Sequence, residues 1–321
     1  MLTFFKHSVA SLLLIVVSGL NGLYGQDSNS SYFNGASRLT EIGSTQEGLD
    51  ASFGSFANDP SEVINGPIVF QDEMNGSADG GAGGGAGDAA AQANNPLANM
   101  TAFNLQNYYI GRLSGTDTNA NQFIMRYAKP VSFLGRDWLI RASLPINTFP
   151  TMGDHKSGMG DLNIFAAALA KTQNPAVSVG FGPLIQAPTS TDDALGTNQW
   201  SMGLANVFFD GRSKKFQYGY LLTWQHKISG PSSNPEVNLG AFQSFAFYQL
   251  GNGLYLRSAP IWVYNFDNDS YSVPVGLGMG KVFTRGKTTY NVFAEPQWSV
   301  ADQGSGQPEW QVFFALNLQY R

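Results

Sequence analysis

Three histidines, 23 acidic residues and no cysteine carry most of the acid–base, nucleophilic and metal-binding potential of this 321-residue sequence. Without cysteine there is no disulfide framework, thiol nucleophile or Cys-based metal site. His7 lies in an apolar amino-terminal stretch, His155 in a turn-like stretch beside Asp154, and His226 at the end of a patterned segment. Two distant imidazoles make no zinc site, and no His-Glu-x-x-His sequence occurs. A serine esterase needs a base within reach of a serine and an acid to orient it. His155 and His226 could be matched with many serines, and nothing in the spacing selects a triad. Asp192 and Asp193, in APTSTDDALGTNQW, supply too few oxygen donors for a calcium loop and read as a solvated connection. The glycine tract Gly80–Gly87 neither opens a patterned helix nor precedes Lys-Ser/Thr, so it is not a phosphate loop. The expectation is a protein with no catalytic residue, cofactor or metal.

The elements point elsewhere. In the closing stretch QPEWQVFFALNLQYR, Trp310, Val312, Phe314, Leu316, Leu318 and Tyr320 alternate with Gln311, Phe313, Ala315, Asn317 and Gln319. This is the two-residue period of a strand. Similar alternation runs through Phe216–Trp224, Val273–Met279 and Tyr290–Trp298. From Phe103 onward, patterned segments follow one another with Gly, Pro, Asn and Asp at their joins. Most have about 10–13 residues, longer than ordinary soluble strands and suited to a tilted membrane crossing. The faces opposite the bulky residues are small, amidic or glycine, with few charges. Charged residues make up only 13% of the chain, the net charge is −5 and the mean hydropathy is −0.14. A soluble sandwich would expose charged faces; a membrane barrel turns its bulky face to lipid and its polar face inward. The fold expected is an all-β, transmembrane, antiparallel up-and-down β-barrel of about 12 strands, an even number that leaves no edge unpaired. Tyr127, Trp138, Trp200, Trp262, Tyr264, Trp298, Trp310 and Tyr320 stand near segment ends, where an interfacial belt wants them.

The opening, MLTFFKHSVASLLLIVVSGLNGLYGQ, reads as a secretory signal peptide over 1–25. Residues 26–95, rich in Ser, Asn, Asp, Gly and Ala, offer little to bury and read as a tether. The barrel is expected over 96–321. No later apolar run is long enough for a membrane helix. An acidic chain without a basic, aromatic-interleaved patch is not a nucleic-acid binder.

Parity places a handful of charges on inward faces: Arg126, Arg141, Asp161, Arg257, Lys281 and Glu295. A charge facing lipid at mid-membrane costs about 2–4 kcal/mol, whereas a lumen tolerates it. Such charges either brace the wall as ion pairs or form an electrostatic constriction. The glycines Gly276, Gly278 and Gly280 share an inward face and would open space there or let the strand bend.

SGMGDLNIFAA (157–167), VGFGPLIQAPTSTDDALGTNQWSMGLANVFF (179–209), SAPIWVYNF (258–266) and VPVGLGMGKVFTRGKTTYNVFAEP (273–296) occur in order. Together with NPLANMTAFNLQNYYIGRL they resemble the family associated with the meta-pathway of phenol degradation, over residues 95–321. That resemblance implies an exported outer-membrane barrel of a diderm bacterium, a channel for small hydrophobic or aromatic solutes, with no catalytic residue. Outer-membrane lipid, lipopolysaccharide and the barrel-assembly machinery are the partners a barrel implies. The alternative is a non-conducting structural or adhesive barrel; a secreted soluble sandwich comes third. One departure is the end of the chain, where Arg321 follows Tyr320 and the terminal aromatic of many barrels is displaced by one residue.

Overall fold

The computed structural model describes Ala93, Asn94, Leu97 and residues 100–320 except 152, 233 and 235. The expected signal peptide, and the tether apart from Ala93 and Asn94, lie outside the described residues. The strands are β1 (Thr101–Leu113), β2 (Ala120–Phe133), β3 (Arg136–Thr151), β4 (Asp154–Met159), β5 (Leu162–Leu169), β6 (Val177–Ala187), β7 (Trp200–Asp210) and β8 (Phe216–Ser229). They continue with β9 (Asn238–Gly251), β10 (Leu254–Ser258), β11 (Ile261–Asn265), β12 (Tyr271–Gly276), β13 (Gly278–Arg285), β14 (Thr288–Gln303) and β15 (Pro308–Tyr320). A short 3-10 turn, Asp193–Leu195, sits between β6 and β7.

All fifteen strands belong to one antiparallel sheet. Three pairs run in line: β4 with β5, β10 with β11, and β12 with β13. Counting each pair as one stave gives twelve, matching the expected number. The ring closes between first and last strands, from Thr101 opposite Tyr320 to Leu113 opposite Pro308, and β15 continues onto β14. Closure satisfies the backbone donors and acceptors that lipid cannot.

Side chains follow the alternation read from the sequence. Along β15, Gln311, Phe313, Ala315, Asn317 and Gln319 are buried, while Trp310, Phe314 and Tyr320 are exposed. The outer surface carries Tyr109, Tyr127, Trp200, Leu204, Tyr218, Met279 and Trp298, all large, apolar and exposed. On a soluble protein this would be an aggregation surface; on a barrel it is the lipid band and its aromatic girdle. Thr101, Tyr320 and the tight connections after β2, β9 and β13 share one end. The longer connections, 188–199 and 230–237, share the other.

One stretch read as a turn is a strand. His155 lies in β4, which pairs with the far end of β3 as a hairpin from Thr151–Asp154 to Ile146–Met159. The alternation there is too short and polar to announce a strand; pairing with β3 supplies it.

Candidate functional site

The lumen lining is mixed, with Tyr108, Ile124, Phe293 and Phe313 forming an apolar cluster among polar residues on the side from β14 to β2. On β14, β15, β1, β2 and β3 the inward residues include Asn291, Asn317, Asn104, Arg126 and Ser143, which are neighbours in register. On β5–β9, Phe165, Leu184, Val207, Leu221 and Phe245 form one apolar cluster, joined by Ala259, Tyr255 and Val282 from the next staves. Ala93 and Leu97, from before β1, are buried in that same cluster. The Gln319 amide donates to the Ala93 carbonyl at 3.2 Å, and the Asn291 amide to Asn94 at 3.4 Å. Ala93, Asn94 and Leu97 therefore pack within the barrel.

The wall has a weak stretch between β10–β11 and β12–β13. β10 pairs with β13 from Leu254–Lys281 to Arg257–Gly278, and β11 pairs with β12 at Val263–Ser272 and Tyr264–Tyr271. Between them, residues 258–262 and 273–277 face each other without a ladder. Pro260 and Pro274 lie on the two sides, and proline has no N–H to offer a ladder. Side chains do the joining instead: Ser258 Oγ donates to the Gly276 carbonyl at 2.7 Å, and Trp262 Nε1 to the Pro274 carbonyl at 3.1 Å. Outside the gap, Val275 and Leu277 are 45% and 64% exposed.

On the lumen side the gap is held by an ion pair. Arg257 Nε donates to Glu295 Oε2 at 2.7 Å, and both side chains are almost wholly buried. Glu295 reaches across the β12–β13 stave, and its Oε1 accepts the backbone N–H of Ala259 at 2.9 Å and the Gln297 amide at 2.9 Å. The Gln243 amide donates to the Ala259 carbonyl at 3.1 Å. Ala259 thus has both backbone groups satisfied by lumen side chains. The Arg257 guanidinium lies 3.4 Å from the Phe293 ring centre and 5.5 Å from that of Phe313, a cation–π contact that covers its faces.

The other charges expected inward divide. Arg126 is buried and its Nε donates to Ser143 at 2.9 Å. Arg141 is buried with its guanidinium 4.9 Å from the Phe165 ring centre. Asp161 is buried at the break between β4 and β5 and clamps the connection 188–199. Its carboxylate accepts from the Thr197 N–H at 2.6 Å, Thr197 Oγ1 at 2.7 Å, the Gln186 amide at 3.2 Å, and the Thr189 and Ser190 N–H groups at 3.1 and 3.2 Å. Lys281 requires a correction: it is exposed, on the outward parity of Met279, and its Nζ bonds the Asn252 carbonyl in the turn after β9. The lipid penalty applies at mid-membrane, and a lysine whose ammonium reaches the turn at Asn252 escapes it by snorkelling to the interface.

The inward glycines do not leave open space. A Cβ on Gly280 would stand 2.3 Å from the Tyr255 ring, and one on Gly278 2.3 Å from the Ala294 carbonyl. Tyr255 lies across Gly280 and donates to Asn291 at 2.7 Å. Gly280→Val is expected to cost about 1–3 kcal/mol by overpacking, read as a lower urea midpoint in lipid vesicles.

At the looped end, Asp192 caps the 3-10 turn through the Ala194 N–H and pairs with Lys156 of β4 at 2.6 Å. The Lys156 hydrogen bond, then the Ala194 N–H, hold its carboxyl below the ordinary carboxylate range. A lowered value means this contribution is present above the ordinary pKa, about 3.9, and is lost as the pH falls through the lowered value. Asp161→Ala should release the 188–199 connection at neutral pH, raising its cleavage by external protease roughly tenfold or more while the barrel stays folded. Unchanged cleavage would show that the connection holds without its carboxylate clamp. Among the described residues no group of three or more His, Cys, Asp or Glu stands together to hold a metal ion.

Ala259, Gln243, Asn94 and Thr197 escaped sequence reasoning. The signal for the first two was present in Pro260 and Pro274, mid-segment prolines in a pattern otherwise suited to uninterrupted strands.

No family model matches the chain, and no curated protein matches it by sequence. Solved structures do. An outer membrane channel from Pseudomonas putida F1 superposes with a TM-score of 0.56 at 14% identity, over 70% of this chain and 97% of that one. The fold is that of an outer-membrane β-barrel. The NanC porin also aligns, at a TM-score of 0.44 and 10% identity, over 69% of this chain and 99% of that one.

Proposed function

We propose that the chain is a channel of the diderm outer membrane for passive uptake of small hydrophobic or aromatic solutes, which pass between lipid and lumen through the gap in the wall. The observation that carries this reading is the unladdered stretch between 258–262 and 273–277, with Val275 and Leu277 outside and the apolar cluster containing Ala259 inside. An apolar solute leaving lipid there exchanges one apolar surface for another, without crossing the polar loops. The Pseudomonas putida protein of the same fold is an outer membrane channel. The likeness of stretches 157–167, 179–209, 258–266 and 273–296 to the phenol-degradation meta-pathway family supports aromatic solutes and membership of that family. The lipid band and girdle fit outer-membrane lipid and lipopolysaccharide outside, and a closed barrel of this kind calls for the barrel-assembly machinery during biogenesis. The inward charges act chiefly as braces, with Arg257 and Glu295 at the gap.

The second reading, a non-conducting structural or adhesive barrel, is favoured by the packing of Ala93 and Leu97 within the lumen. Uptake separates the two. Diderm cells producing the chain should accumulate radiolabelled naphthalene faster than cells without it, and a disaccharide at an unchanged rate. Equal naphthalene rates in cells whose outer membranes contain folded barrel would defeat the channel reading.

A further inference from the structure

Along the inner wall, β5, β6, β8 and β9 each change from a polar to an apolar inward residue on going towards the tight turns. Asn163 is followed inward by Phe165, and Gln186 by Leu184; Thr223 is followed by Leu221 and Gln243 by Phe245, while Ser201 heads the apolar run Ala205–Val207. On the side towards the looped end stand Asn163, Gln186, Ser201, Thr223 and Gln243; on the other stand Phe165, Leu184, Leu221 and Phe245. Several of the polar groups have no protein partner. Both side-chain atoms of Asn163, Ser201 Oγ, Thr223 Oγ1 and the Oε1 atoms of Gln225 and Gln243 are buried and unmatched, on residues no more than 2% exposed. Buried amides and hydroxyls without partners are costly, and native proteins keep few of them. Here four staves, β5, β7, β8 and β9, hold them beside an apolar surface.

We infer that this part of the lumen binds an uncharged amphiphile, a compact apolar body carrying a hydroxyl head. The inference rests on the preceding reading that apolar solutes enter the lumen, and names which of them are held. The body lies against Phe165, Leu184 and Phe245. The head lies among Asn163, Ser201 and Thr223, which offer both donors and acceptors, as a hydroxyl requires. These side chains carry no charge, and the nearby Asp161 carboxylate is already met by Thr189, Ser190, Thr197 and Gln186. A charged head would have to leave water for a buried place where the Arg141 guanidinium already lies over the Phe165 ring and the Asp161 carboxylate is already met. A pure hydrocarbon would leave the amides and hydroxyls as unmatched as before.

The test is photolabelling of the full-length protein in lipid nanodiscs with one alkyl-diazirine body ending in a hydroxyl, a carboxylate or an ammonium, mapped by mass spectrometry. The hydroxyl probe should label the inward faces of β5–β9, be competed by the parent alkanol, and exceed both charged probes there. Thr223→Val and Asn163→Leu should each lower that labelling roughly fivefold while raising the stability of the empty barrel, since each removes an unmatched polar group. Equal lumen labelling by all heads, labelling confined to outward residues such as Met202 and Leu204, or unchanged labelling in both folded variants would overturn the inference. The last result would leave those groups to water only. Lumen labelling without naphthalene uptake would retain the site and defeat the transport reading; uptake without lumen labelling would do the reverse.

Discussion

Glu295→Leu is expected to cost the barrel about 3–5 kcal/mol, because it leaves the buried Arg257 guanidinium without its carboxylate. The same change removes the carboxylate oxygen that accepts the Ala259 N–H. Removing both charges, with Arg257→Met and Glu295→Leu together, should restore much of the loss, since no charge then remains to be desolvated. Glu295→Gln keeps an oxygen for Ala259 and should fall between. Urea unfolding in lipid vesicles, followed by tryptophan fluorescence, ranks the variants. A double variant as unstable as Glu295→Leu would mean that the backbone acceptor, rather than the ion pair, dominates. A single variant as stable as the parent would mean that the gap needs no brace.

Much of the barrel was legible in the sequence, and the reason is local. A strand with lipid outside and polar lumen inside repeats every second residue, so Trp310–Tyr320 declares its two faces without knowledge of its neighbours. The lengths of the segments and the glycine, proline and asparagine joins then gave the number of staves. What was not legible depends on partners distant in sequence. The five donors to Asp161 come from Gln186 to Thr197, 25 to 36 residues later, and only the folded connection brings them together. Glu295 reaches Ala259 across an intervening stave, a contact that no register of adjacent strands implies.

Lys281 shows a different limit. It is expected on an inward face, yet it shares the outward parity of Met279, opposite to the glycines. Depth decides between the two, and the turn at Asn252 that receives its ammonium sets that depth. The prolines mislead in the other direction. Because Val275, Leu277 and Met279 keep their outward alternation on both sides of the break, the segment reads as one strand. The missing ladder is visible only when both strands are in place.

The gap is the part of the account with the largest expected effect on function. Ser258 and Leu277 face outward on its two edges, nominal partners in the register that Arg257–Gly278 would continue. Cysteines at paired positions of adjacent antiparallel strands come within disulfide reach. Ser258→Cys with Leu277→Cys should therefore lock the gap under oxidation. Leu256→Cys with Met279→Cys bridges strands already laddered and is the control. The decisive measurement is naphthalene uptake by cells producing each pair, oxidised and then reduced. The account predicts that oxidising the gap pair lowers facilitated uptake by roughly tenfold or more, in line with loss of a single low-barrier route, that reductant restores it, and that the control pair transports at the parent rate in both states. Undiminished uptake with the gap disulfide fully formed would contradict the lateral route and return the passage to the barrel's open end.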